Sequence, residues 1–256
     1  MTTDALLLAA MRILESLSGA AYLSSPKLYV LIILKRMELI VRHGNVPTSA
    51  LCYASFGALL CARVGDIESG YRFGQLALDS LQRMKKPEYF CRVTCLVDGF
   101  ILHWKIHVAK TLEPLHLAYA KGLETGELEF AAYSAILYCG FTLYSGVEKD
   151  LSAFQGEMSA FGRSLRQLNL MSIFHYLQMV QQTVHDLRRG RPEAKVLQGE
   201  YYEENTMLPR HLEAHDQNGL FYLHAYKLLI NYLYGDYEQA VCDTSQAEPY
   251  YGSIAG

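Results

Sequence analysis

Apolar positions recur along this chain at steps of three and four. From Ile67 to Leu81, the residues Ile67, Gly70, Gly74, Ala77, Leu78 and Leu81 form one stripe, with Glu68, Arg72, Gln75 and Asp79 largely off it. Leu128, Ala132, Ala135, Cys139 and Leu143 form a second stripe. Phe221, Ala225, Leu228, Leu229 and Tyr232 form a third, and Leu7, Met11, Leu14 and Ala21 a fourth. No convincing run alternates apolar and polar residues between hairpin signals, so the pattern predicts helices throughout.

Helix starts and stops are marked. Ser25-Pro26, Lys86-Pro87-Glu88 and Arg191-Pro192-Glu193 put proline at or near a first helical position, where its missing N–H costs nothing. Gly44, Gly126, Gly146, Gly190 and Gly235 follow periodic stretches, as chain reversals at helix ends do. Reversals within successive helix pairs are expected near Ser24, Gly65, His107, Gly146, Gly190 and Gly235. Reversals between pairs are expected near Gly44, Lys86, Gly126, Leu170 and Asp216. Each series recurs at a period of about 40 residues, with two helices per unit, which is the signature of an α-solenoid. One helix pair cannot cover both of its apolar faces, so neighbouring pairs must stack.

Two turns resemble those of tetratricopeptide repeats. Gly235-Asp236-Tyr237, with Ala240 three residues further on, has that family's order of Gly, Asp, aromatic and small residue. Gly65-Asp66 is a second copy, with Gly70 and Ala77 at the two small positions. Gly ends one helix, Asp caps the next, and small residues let paired helices approach. The middle units keep the period without the signature, and all exceed the family's ~34 residues. The array is therefore tetratricopeptide-like.

A narrower resemblance rests on Val64 to Ala77, Gly122 to Tyr133, Gln198-Gly199-Glu200-Tyr201-Tyr202 and the Gly235 turn. These stretches resemble the helical-repeat segment of large multidomain signalling kinases, best known from cyanobacteria. The resemblance runs from about residue 5 to the end of the chain. In that family a Ser/Thr-kinase-like domain and an ATPase domain precede the segment, and a GAF sensor and a histidine-kinase module follow it. The resemblance implies a context of signal transduction. It carries over no catalytic residue, because those belong to domains that this chain does not match.

Composition narrows the classes. The 256 residues are 51% hydrophobic and 19% charged, enough apolar material for a large core, which excludes general disorder. The formal charge of -3 argues against a nucleic-acid partner, because phosphate binding needs a basic face. Six cysteines (Cys52, Cys61, Cys91, Cys95, Cys139 and Cys242) are spread without a secretory signal, which predicts free thiols and a cytoplasmic chain. Met1 to Leu23 is apolar but carries Asp4, Arg12 and Glu15 and has no basic leader region. The run Leu28 to Leu34 is too short to span a bilayer, so no membrane span is expected.

Candidate chemistry is sparse. There is no Gly-rich phosphate loop ending in Gly-Lys-Ser/Thr and no His-Arg-Asp triplet. Asp98-Gly99-Phe100 has the composition of the kinase metal-binding triplet in the wrong order, inside a helical pattern. His211 and His215, at i and i+4, could share a zinc, but Glu213 is misplaced for a zinc protease and a solvated helix face is the preferred reading. His103 and His107 flank Trp104 at an expected helix end and read as capping or core groups. Cys91 and Cys95 read as buried thiols, and Arg188, Arg189, Arg191 and Lys195 as a solvated basic turn. The 19 tyrosines suit helix seams or a partner groove.

The expected fold is all-α: an α-solenoid of about six antiparallel helix pairs in a right-handed superhelix, as one domain over residues 1–256. The chain is expected to be non-enzymatic, with no cofactor and no metal, and to bind a protein partner or adjacent signalling domains. The alternatives are a fragment of a kinase or ATPase whose activity lies in other domains, and a ligand-sensing helical array. The resemblance implies that more helices follow the last segment, whose close from Tyr250 to Gly256 carries no cation, and on that basis truncation at the C-terminus and self-association through the uncapped end are expected.

Overall fold

Asp4, Asp150, Asp216 and Asp236 each accept a backbone N–H at the start of a helix, and Pro26 opens another, so many helix boundaries are written locally. The computed structural model describes residues 4–84, 87–190 and 196–253. The expected break at Lys86, the Arg191-Pro192-Glu193 start, Arg191 and Lys195 of the basic turn, and the final residues 254–256 lie outside these.

The fold is all-α, with twelve α-helices and no strand among the described residues. The first six are α1 (Ala5–Ser24), α2 (Pro26–His43), α3 (Ser49–Leu59), α4 (Ile67–Met84), α5 (Phe90–Phe100) and α6 (Leu112–Thr125). The others are α7 (Leu128–Tyr144), α8 (Leu151–Gln167), α9 (Met171–Arg189), α10 (Glu204–Glu213), α11 (Gln217–Leu233) and α12 (Tyr237–Ala247). A π-helical turn, Leu60–Val64, prolongs α3, and 3-10 turns at Leu102–Trp104 and Val108–Thr111 separate α5 from α6. The β-type pairing among the described residues is one bridge, Gln198 to Glu203.

The chain divides into two compact units, residues 1–134 and 135–254, with the boundary inside α7. In the first unit α1 packs on α2, α3 on α4, and α5 on α6, while α3 also touches α5. Short turns join the first two of these pairs, so their helices run antiparallel. The core gathers Met11, Ile40, Leu51, Ala54, Leu81, Val97 and Ile101. Helix α3 is apolar nearly all round and is buried on almost every face, as such a helix must be.

Small residues set the spacing. A Cβ on Gly57 would lie 2.8 Å from the Gly70 carbonyl oxygen, and one on Gly70 would lie 2.8 Å from the Gly57 carbonyl oxygen. The α3 and α4 backbones therefore touch directly. Between α6 and α7, a Cβ on Gly122 would meet the Ala131 Cβ at 2.7 Å.

In the second unit α8 packs on α9, α9 on α11, and α11 on α12. Phe154, Met158, Leu165, Leu177, Val180, Val184, Leu223 and Ile230 are buried here. Helix α9 is unusual in burying polar side chains beside apolar ones: Gln181, Gln182, Thr183, His185 and Asp186 are all buried.

The window Ala5–Tyr22 of α1 is long and apolar enough to cross a membrane by length and composition, and 17% of it is buried. The expectation of no membrane span rests on the shorter Leu28–Leu34 run, whereas Met1 to Leu23 is excluded there only as a secretory leader.

The packing makes opposite forecasts for two glycines. Gly70→Ala should cost about 1–3 kcal/mol, because α4 must move away from α3. Gly156, exposed on α8 with open space around it, should gain about 0.4–1 kcal/mol on substitution by Ala. Urea denaturation midpoints decide; equal shifts for the two variants would refute the close approach.

Candidate functional site

The two glycine-then-aspartate turns share one geometry. Gly65 has φ +77° and Gly235 φ +83°, a left-handed conformation that a side chain disfavours. The next residue caps the following helix: Asp66 Oδ1 accepts the Ser69 N–H at 3.0 Å, and Asp236 Oδ1 accepts the Gln239 N–H at 3.1 Å. The hydrogen bond from the Ser69 backbone holds the Asp66 carboxyl below its usual range. Gly70 is pressed against α3, Ala77 is fully buried, and Ala240 is buried on α12. Gly146, at φ +66°, lies between α7 and α8.

The most organised polar cluster lies where α9, α10 and α11 meet. Asp216 Oδ1 accepts from the Tyr176 hydroxyl at 2.6 Å and from the Gly219 N–H at 2.9 Å. Asp216 Oδ2 lies 2.8 Å from His211 Nδ1, which donates to it. Burial works to raise the Asp216 carboxyl, but its bonds from His211, Tyr176 and Gly219 outweigh burial and lower it. A Cβ on Gly219 would lie 2.6 Å from His211 Nδ1, so glycine lets the α11 backbone reach the carboxylate. His211 Nε2 and the Tyr202 hydroxyl are buried with no hydrogen-bond partner among the described residues. The Tyr202 ring stacks on His211 at 6.5 Å.

This placement corrects the solvated-face reading of His211, which is buried. Helix α10 ends at Glu213, and exposed His215 follows in a left-handed conformation, φ +51°. The two imidazoles therefore do not share a helix face. No group of three or more potential metal ligands occurs among the described residues.

Beside this cluster, residues 196–203 are tied down by groups that sequence reading missed. Gln178 donates to the Tyr201 carbonyl at 2.6 Å, Gln182 accepts from the Tyr201 N–H at 3.0 Å, and Glu204 accepts from the Leu197 N–H at 2.6 Å. The other Glu204 oxygen meets Lys227 Nζ at 2.8 Å, and both side chains are 8% exposed. The faint sequence signal for this network was Gln178 and Gln182 at i, i+4.

In the first unit, Arg92 bridges Glu15 of α1 and Glu127 at the start of α7. Arg36 is buried, and it donates to the Thr48 carbonyl over a long 3.5 Å. Asp98, the acid of the reversed triplet, is buried within α5, and burial pushes its carboxyl up to about 7. Cys91 and Cys95 are buried free thiols pushed up to about 12 by burial, which keeps them protonated and inert. His107 caps the Val108–Thr111 turn by accepting from the Ala109 N–H at 3.2 Å. Arg188 donates to the Ser152 hydroxyl at 3.0 Å.

No family model matches this chain, and no solved structure matches it. The chain is similar to the hybrid signal transduction histidine kinase G of Dictyostelium discoideum, at 24% identity over 128 residues. The match covers 49% of this chain and 4% of that protein, so the chain spans a small part of its relative's length.

Two measurements test this electrostatic account. Unfolded Asp98 loses its proton near 3.8, whereas the folded group holds it to about 7. The folded state thus binds the extra proton between those values, and Asp98 makes stability fall as pH rises through them, by at most ~1.4 kcal/mol per pH unit. The stability gain of Asp98→Asn over wild type should grow with pH across this window in urea titrations; a pH-independent difference would count against it. Lys227→Met should cost about 3–5 kcal/mol by stranding buried Glu204, and adding Glu204→Gln should recover part of that loss in a double-mutant cycle.

Proposed function

We propose that this chain is a non-enzymatic helical-repeat module that serves signal transduction as a protein-interaction scaffold or interdomain regulatory segment. In this reading the helix pairs stack as a tetratricopeptide-like, right-handed α-solenoid, and the chain works in the cytoplasm. Its partners are a protein segment or adjacent signalling domains, held by helix faces rather than by a reactive centre.

One conjunction carries the reading. The chain repeats a glycine-then-aspartate turn at Gly65-Asp66 and Gly235-Asp236, and half of it is similar to a stretch of a signalling histidine kinase. The polar chemistry supports a structural role. Asp216 spends its lone pairs on Tyr176, His211 and Gly219, and the Cys91 and Cys95 thiols are pushed far above neutrality. The kinase or ATPase activity of such a system would then belong to other domains.

Crosslinking mass spectrometry on the polypeptide in its native cells tests this. Lysines of this segment, Lys35 and Lys121 among the exposed ones, should crosslink to a kinase or ATPase domain in the same or a neighbouring polypeptide. Crosslinks confined to the segment itself, or phosphoryl transfer by the isolated chain supplied with ATP, would overturn the proposal.

A further inference from the structure

Ionisable side chains crowd α11 where α10, α12 and the 3-10 turn Glu248–Ser253 pack around it. His224 and Lys227 of α11, Glu204 of α10 and Asp243 of α12 are all buried. Both carboxylates are already committed. Glu204 takes Lys227 on one oxygen and the Leu197 N–H on the other. Asp243 accepts from the Asn231 amide at 2.7 Å and from the Gln239 amide at 3.3 Å. His224 Nδ1 is buried and has no hydrogen-bond partner among the described residues. The His224 ring is covered instead by Tyr250, which lies parallel to it at 6.4 Å, while Tyr251 packs its ring edge on Phe221.

We propose that His224 is an acid-sensitive latch: its neutral ring holds the turn Glu248–Ser253 on α11, and protonation releases that turn. An imidazolium carries an N–H on both nitrogens. At Nδ1 that donor would find no acceptor, in a place closed to water and near the like charge of Lys227. The Tyr250 face does not compensate, because its centroid lies 6.4 Å from that of His224 and a ring attracts a cation within about 6 Å.

The direction of the response follows from these surroundings. Burial, and after it the charge of Lys227, holds the imidazole below its ordinary value of 6.5, against the opposing pull of Asp243 and Glu204. With the turn lifted, water reaches the ring and the proton binds closer to that ordinary value. The closed turn is therefore favoured above this range and gives way as pH falls through it. The turn yields before the ion pair does. It sits at the rim, with Tyr251 62% exposed, whereas parting Glu204 from Lys227 would strand two buried charges.

The full chain tests this in two ways. Imidazole NMR spectra of chain labelled at histidine should show His224 titrating below 6.5, and Tyr250→Ala should move it up towards that value. Hydrogen exchange, corrected for intrinsic rates, should show protection of α12 and the turn falling several-fold from about pH 7.5 to about pH 5, with no matching fall in the first unit. His224→Phe, which keeps a ring against Tyr250 but has no proton to gain, should abolish the fall; if it does not fold, His224→Gln serves instead. A His224 that titrates at its ordinary value would overturn the proposal. So would the same loss of protection in the substituted chain, or a loss that spreads equally to the first unit.

Discussion

Helices α3 and α4 touch backbone to backbone because neither Gly57 nor Gly70 carries a Cβ at the crossing. At normal side-chain separation two helices interdigitate over a gap filled by larger groups. Here the gap is closed, so α3 sinks among its neighbours until almost all of its faces are covered. The apolar composition of α3, with Ala50, Cys52 and Ala54 fully buried, follows from that position. The left-handed turn at Gly65 returns the chain at once, which keeps α4 within reach of this contact.

The second unit solves the same problem with hydrogen bonds. Helix α9 buries Gln182 and Asp186, which bond to each other at 2.9 Å, and Gln182 also holds the Tyr201 backbone. A buried polar group left unpaired costs more than a made bond returns, so each such side chain permits few arrangements of the loop and helices around it. The Asp216 cluster works likewise, with one carboxylate ordering α9 through Tyr176, α10 through His211 and α11 through Gly219. These buried polar side chains thus hold helices in position.

Much of the architecture was legible in the sequence, and the reasons are local. Helix periodicity, the glycines at left-handed turns such as Gly65 and Gly235, and the aspartates that follow these two act within a few residues of themselves. The breaks near Ser24, Gly44, Gly65, Gly126, Gly146, Leu170, Asp216 and Gly235 therefore coincide with helix ends. His211 was misread for the opposite reason. Its spacing from His215 suggested a shared face, but α10 stops between them, and burial came from Tyr202 and Asp216, which periodicity does not connect to it. For Asp98 the sequence places the residue inside a helix, and the fold adds that its carboxyl is buried.

The sequence by itself determined that the chain is helical, where most of its helices begin and end, and which residues are small enough for close contact. These follow from backbone geometry and from the 3.6-residue period, which neighbouring residues settle among themselves. Tertiary structure alone decided which polar groups pair, as Glu204 with Lys227 and Gln182 with Tyr201, and which apolar stripe stays uncovered. Such outcomes depend on residues distant in the chain arriving at one place. The stripe of Leu6, Ile13 and Leu17 on α1 carries the same periodic signal as any core stripe, and only the packed fold shows that it faces outward.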